Sequence, residues 1–294
     1  MTSARTVAWA VWKMARPSQL LLVAVVYALG ASVAWMQTGL LELSDHVRGL
    51  APMLAVAASV HYVNEYADAE TDRLTERTPF SGGSGALPES GLPQWVALVA
   101  GTAALGLAVA LVATVGRSLP ALALGVLAAV AVLGWEYSLP PLAFAWRGLG
   151  EVVNALLGGV LLPLYAVAVA TGRVWPTAVV AVLPFSVAVF LNLLATQWPD
   201  RHADGAVGKD SLAVRWPTGR LRATYWAGFT GFAGATLLLA ASAPVVVTAA
   251  TAAALPALAY AGRQYTVTRS PLPSVAAMVG LAVAQTAAWV AVAL

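Results

Sequence analysis

Two stretches of the sequence set acidic side chains four residues apart, each led by an amide. The first reads Asn64-Glu65-Tyr66-Ala67-Asp68-Ala69-Glu70-Thr71-Asp72, and the second Gln197-Trp198-Pro199-Asp200-Arg201-His202-Ala203-Asp204. On a helix, Asn64, Asp68 and Asp72 share one face, and so do Asp200 and Asp204. Like charges at that spacing destabilise a helix by about 0.2–0.5 kcal/mol, a cost that a cation between them removes. Oxygen-only ligands suit Mg²⁺, which takes one or two carboxylates and fills its remaining positions with water and phosphate oxygens. Asp68, Asp72, Asp200, Asp204 and Asn64 are therefore candidate metal ligands, and the four aspartates the candidate catalytic set. Two such clusters facing each other would grip one diphosphate through Mg²⁺. A single pair of this kind at a membrane boundary is ordinarily a solvated helix end. Two matched pairs, each after an amide and each opening a long loop, point to function.

A diphosphate also needs fixed cations. Arg73 and Arg77 follow the first motif, and Arg201, Lys209 and Arg215 surround the second. Arginine suits bidentate phosphate contacts and lysine acts as a point charge, although each residue also serves as a topology signal. Arg77 and Lys209 are the foremost candidates. The stretch Thr78-Pro79-Phe80-Ser81-Gly82-Gly83-Ser84-Gly85 either cradles phosphate on its N–H groups or caps a pocket; it lacks the Lys-Ser/Thr ending of a P-loop. A third segment reads Tyr137-Ser138-Leu139-Pro140-Pro141, with Arg147, Glu151 and Asn154 beyond it. Tyr137 is either an interfacial belt aromatic or a ring beside the site. Glu151 and Asn154, on one face, either bind an acceptor's hydroxyls or pair with polar neighbours. His46, His61 and His202 form no metal pattern, and the absence of cysteine excludes disulfides, thiolate metal sites and cysteine nucleophiles.

These residues must be positioned by elements that suit lipid. The chain is 294 residues long, 60% hydrophobic and 10% charged, against roughly 25% charge in a soluble protein. So few charges cannot cover a water-facing surface. The basic residues are scattered, which argues against nucleic acid as a partner and leaves membrane lipids. A crossing helix needs about 20 apolar residues. Nine segments qualify, at about 18–36, 48–66, 94–115, 118–137, 150–171, 174–198, 222–242, 244–262 and 273–293. No period-two alternation appears, so helices are expected rather than a barrel. With the N-terminus cytoplasmic, nine spans leave only Arg48, Arg117 and Arg173, of 16 Lys and Arg, on the outer side, a clear positive-inside bias. The expected fold is an all-α integral membrane protein of nine transmembrane helices around a central cavity, C-terminus outside. Residues 1–294 form a single domain in the cell membrane, with cytoplasmic cap loops at about 64–93 and 197–221. The rival function is a cation- or proton-coupled transporter. Transport sites usually lie near the bilayer midplane, whereas these clusters sit at helix ends.

Over nearly its whole length the sequence resembles the UbiA-type intramembrane prenyltransferases. Asn64-xxx-Asp68-xxx-Asp72 is similar to that family's first aspartate-rich motif. Asp200-xxx-Asp204, followed by Gly208-Lys209-Asp210-Ser211-Leu212-Ala213-Val214, is similar to the second, and Tyr137-Ser138-Leu139-Pro140-Pro141 to the family's Tyr–Pro segment. The resemblance implies Mg²⁺-dependent transfer of a polyprenyl group from a prenyl diphosphate to a small, usually aromatic acceptor, as in quinone or lipid biosynthesis. It gives a metal-and-diphosphate role to Asn64, Asp68, Asp72, Asp200 and Asp204, and a diphosphate role to Arg77 and Lys209. Tyr137 is expected to stabilise an allylic cation. Two departures stand out: many relatives carry lysine soon after the Tyr–Pro segment, where only Arg147 is available, and asparagine where Gln197 stands. The Gly208–Val214 stretch and Gly82-Gly83-Ser84 look most like the branch that prenylates 1,4-dihydroxy-2-naphthoate on the way to menaquinone. Donor chain length and oligomeric state leave no mark in the sequence.

Overall fold

The computed structural model describes residues 3–294, and every regular element among them is helical. In chain order these are α1 (Ala4–Met14), α2 (Pro17–Thr38), α3 (Leu43–Ala67), α4 (Ala69–Leu74), α5 (Ala86–Ser90), α6 (Trp95–Thr114), α7 (Ala121–Ser138), α8 (Gly150–Asn154), α9 (Leu162–Thr171), α10 (Pro176–Gln197), α11 (Arg201–Ala206), α12 (Leu212–Arg215), α13 (Thr218–Ala240), α14 (Val245–Ala252), α15 (Leu255–Gln264) and α16 (Leu272–Ala293). A wide-turned stretch, Ala155–Leu161, joins α8 to α9.

The punctuation is local chemistry. Pro17 and Pro176 open α2 and α10, where the missing N–H costs nothing. Gly39 and Gly172 close α2 and α9 in the left-handed conformation. Pro163 lies within the run that continues from α8 into α9, and the wide turn just before it accommodates a proline inside a membrane helix.

Seven helical runs among the described residues are long and apolar enough to cross a bilayer: 4–38, 95–114, 121–138, 150–171, 176–197, 245–264 and 272–293. The first is broken at Arg16, whose φ is +53°. α3 and α13 occupy two more of the expected positions but fall below that apolarity. Asp45, His46, Arg48, His61, Asn64 and Glu65 dilute α3, and Arg220 and Arg222 dilute α13.

The long helices pack as a bundle through small residues. A Cβ at Gly30 would overlap the Pro163 backbone, and one at Gly159 would stand 2.5 Å from Ser186 Cα. Polar contacts also join the helices: Ser59 donates to Gly101 O at 2.8 Å and Trp135 Nε1 to Ser59 Oγ at 2.9 Å. One end of the bundle gathers the polar segments. Arg269, between α15 and α16, pairs with Glu76 after α4, and Asp210 N donates to Trp146 O across two other loops.

Candidate functional site

The two aspartate motifs meet at that end. α3 runs out at Ala67 and α4 starts at Ala69, yet the helical hydrogen bonds continue through the junction, from Asp68 N to Asn64 O at 2.9 Å and from Asp72 N to Asp68 O at 2.8 Å. The four-residue spacing therefore keeps its shared face. Asn64 donates to Asp68 Oδ2 at 2.6 Å. In the second motif, Asp204 N donates to Asp200 O at 2.9 Å, and the chain turns back so that Lys209 N donates to Asp204 O at 2.9 Å. That turn carries the Lys209 side chain across to the first motif. Its ammonium bonds Asp68 Oδ1 at 2.8 Å and stands 3.7 Å from Asp204 Oδ1.

A second bridge comes from the glycine-rich loop. Gly82 N donates to Asp200 Oδ2 at 3.0 Å, and Gly83, at φ +63°, lies so close to the Asp72 carboxylate that a Cβ there would overlap it. Ser84 donates to Glu65 from both N (2.8 Å) and Oγ (2.6 Å). Glu65 is 1% exposed and also accepts from Arg16 Nε at 2.9 Å. The N–H groups of Gly82 and Ser84 are thus committed to carboxylates.

The electrostatics follow from burial. Loss of water, then the Asp68 and Glu65 charges, push the Asp72 carboxyl up to about 8. Burial likewise pushes Asp204 up to about 7, against the pull of Lys209, and Asp200 to about 6, against the Gly82 hydrogen bond. Burial works against the Lys209 charge, but Asp68 and Asp204 outweigh it and hold the ammonium protonated. The carboxylates are short of positive charge. Asp200 Oδ1, Asp204 Oδ1 and Gln197 Oε1 are buried without a hydrogen-bond donor. Among the described residues no three acidic or imidazole groups close on a single point; the Lys209 ammonium takes the place between the motifs. An all-oxygen donor set with orphaned carboxylate oxygens fits a hard divalent cation.

The other expected residues fall in two groups. Tyr137 lies within electrostatic reach of Lys209, Asp68 and Asp204, and Gln197 is buried just before the second motif. Arg77 and Arg147 are not brought to the aspartates. Arg77 instead bonds Glu89 on α5 at 2.8 Å, a carboxylate it shares with Lys13. Arg147 is exposed; Arg215, also exposed, lies against Gly148 and pairs with Asp210 at 2.5 Å. His202 lines a cleft on the outer side of α11 with Arg201, Arg269 and Thr75. Sequence reasoning missed Arg16 and Ser84 as partners of Glu65. They lie 49 and 19 residues from it, and no local pattern announces such pairs.

Seven long apolar helical runs in one bundle indicate a multi-pass membrane protein, and one end of that bundle holds the buried, cation-seeking carboxylate cluster. The family model of the UbiA prenyltransferase family matches residues 21–281, and the chain belongs to that family. It is by that membership a membrane-embedded prenyltransferase. No curated protein matches it in sequence. Among solved structures, it is similar to a UbiA homologue from Archaeoglobus fulgidus bound to Cd²⁺ (TM-score 0.69, 16% identity, 96% of this chain and 99% of that one). The same homologue bound to DMAPP and Mg²⁺ gives 0.67 at 18% identity, with 96% and 99% covered. A structure described for digeranylgeranylglyceryl phosphate synthase gives 0.66 at 14% identity, with 98% of each chain covered. At these identities the likeness concerns the fold.

Proposed function

We propose that this chain transfers a polyprenyl group from a prenyl diphosphate to a small aromatic acceptor with Mg²⁺, and that 1,4-dihydroxy-2-naphthoate is the first acceptor to try. The observation that carries this reading is the convergence of two DxxxD stretches on one buried site, where Lys209, just after the second, bonds Asp68 from 141 residues away. The Archaeoglobus homologue, solved with GPP and Mg²⁺ and with DMAPP and Mg²⁺, supports the donor class and the ion.

Asp68, Asp72, Asp200 and Asp204, with Asn64 at the edge, would hold the ion. Bound Mg²⁺ would neutralise the diphosphate and favour departure of the leaving oxygen. The chain's own groups complete the reaction. Lys209, already held between the motifs, offers its ammonium to the diphosphate that replaces their mutual contact. The glycine loop roofs the carboxylates and keeps water from the allylic cation. Tyr137 presents a ring beside Lys209, where a π face stabilises positive charge on the prenyl carbon. Electrons from the acceptor ring then form the new carbon–carbon bond, the diphosphate leaves with the electrons of the broken C–O bond, and the attacked ring carbon sheds a proton, or its carboxylate as CO₂, to restore the aromatic ring.

The same reading makes residues 1–294 one domain with nine spans, N-terminus and active site cytoplasmic and C-terminus outside, in the cell membrane. α3 and α13 complete the count, because each bears its polar residues near its ends or against other helices. The site lies at helix ends, which speaks against the transporter alternative.

The test is incubation of the purified protein with Mg²⁺, geranylgeranyl diphosphate and either 1,4-dihydroxy-2-naphthoate or 4-hydroxybenzoate, with products read by mass spectrometry. Asp68→Ala and Asp200→Ala should stay folded and lose at least roughly 10²-fold in turnover, the scale of removing one charge-stabilising group. Full activity in both variants would overturn the assignment.

A further inference from the structure

Beside the aspartate site, three element ends meet: the C-terminus of α7, the start of α8 and the start of α12. Glu151, in the first turn of α8, is completely buried. Its Oε1 accepts from Leu212 N at 3.1 Å, and its Oε2 is buried with no donor among the described residues. The hydroxyls of Ser138 and Ser211, on the two adjoining segments, are likewise buried without partners. A buried carboxylate oxygen left unpaired costs several kcal/mol, more than an unpaired neutral group, so its retention needs a reason. Tyr137 borders this corner. Its hydroxyl stands 3.4 Å from where a Cβ of Gly150 would lie, and the ring is within electrostatic reach of both Glu151 and Lys209.

We propose that Glu151 Oε2 receives the acceptor: a hydroxyl of the aromatic ring donates to it, which turns a ring carbon toward the prenyl carbon beside Tyr137. This rests on the prenyl-transfer reading above and adds the acceptor side of the site. A hydroxyl donor satisfies the orphan oxygen without breaking the Leu212 bond. It also makes the ring more electron-rich, as attack on an allylic cation requires. Ser138 and Ser211 supply the neighbouring polar lining.

A merely structural Glu151, present only to hold Leu212, gives a different expectation. Glu151→Gln keeps an oxygen for Leu212 N but places an amide N–H₂ where the free oxygen was. The experiment measures binding of 1,4-dihydroxy-2-naphthoate and its 1,4-dimethoxy analogue to the protein loaded with Mg²⁺ and an unreactive geranylgeranyl thiodiphosphate. Wild type should prefer the dihydroxy compound by about tenfold or more, the worth of a hydrogen bond to a charged acceptor. Glu151→Gln should lose that preference and keep its affinity for the thiodiphosphate. An undiminished preference in Glu151→Gln would overturn the assignment. So would a wild type that binds both compounds equally, a result that needs no variant to fold. Failure of wild type to bind the thiodiphosphate with Mg²⁺ is read separately; it would remove the prenyl-transfer reading itself, and the role of Glu151 with it.

Discussion

Asp72 carries its charge at a cost that a proton or a bound cation relieves. Its carboxyl, pushed to about 8, and those of Asp204 and Asp200, pushed to about 7 and 6, stand above the ordinary carboxylate value of about 4. The folded protein therefore keeps protons that the unfolded chain releases. That contribution to stability is complete below about pH 4 and is lost as pH rises through about 6 to 8. Mg²⁺ replaces those protons, so its stabilising effect must grow over the same interval. In detergent, the melting temperature without Mg²⁺ should fall from about pH 5 to 8, and added Mg²⁺ should raise it more at pH 8 than at pH 6. Asp72→Asn should flatten the Mg²⁺-free profile and weaken the response to the ion. A profile equally flat in wild type would show that these carboxylates are not buried together.

At the scale of elements, the loop from Thr75 to Gly85 is the part that turns two helix ends into an enclosed site. Gly83 combines a positive φ with direct contact on Asp72, so a side chain is excluded twice over. Gly83→Ala should cost about 1–3 kcal/mol of local strain, show as faster proteolysis within the loop, and lower turnover while leaving the bundle helical by circular dichroism. Unchanged proteolysis and turnover would mean that the loop does not seat on the aspartates. The anchor of this cap is Glu65, bound by Arg16 and Ser84. Removing one partner of a buried ion pair costs about 3–5 kcal/mol. Arg16 keeps 18% of its side-chain exposure, which favours the lower end. Glu65→Ala should lower the melting temperature clearly more than Glu89→Ala, whose Lys13 and Arg77 partners are at the surface.

At the scale of the whole molecule, alternation of the helices puts the Arg16 break, the two motifs, the Tyr–Pro loop and the α15–α16 turn at one end. The native chain has no cysteine, so single substitutions report topology directly. Ser270→Cys and Ser118→Cys are both at exposed positions, on opposite sides of the proposed nine-span arrangement. In intact cells an impermeant maleimide should label Ser118→Cys and reach Ser270→Cys only after permeabilisation. The reverse pattern would invert the orientation.

The long helices, their approximate ends and the spacing of the aspartates were legible in the chain itself; the short helices α1, α4, α5, α11 and α12 were not. Each legible feature is a one-dimensional property: apolar length against bilayer thickness, proline and glycine at helix ends, and a four-residue step that any helix turns into a shared face. Polar α3 was still recognisable as a bundle helix because its apolar middle is long enough. Which cation would stand between the motifs was not legible, nor which arginines would be drawn away. Lys209 meets Asp68 from 141 residues on, and Gly82 meets Asp200 across 118. Arg77, next to the first motif in sequence, turns to Glu89 instead. Coulomb attraction and burial act on distance in space, which hydropathy and spacing do not encode. The orphan oxygen of Glu151 belongs to the same class of fact, because only packing shows which polar atoms have been left without a partner.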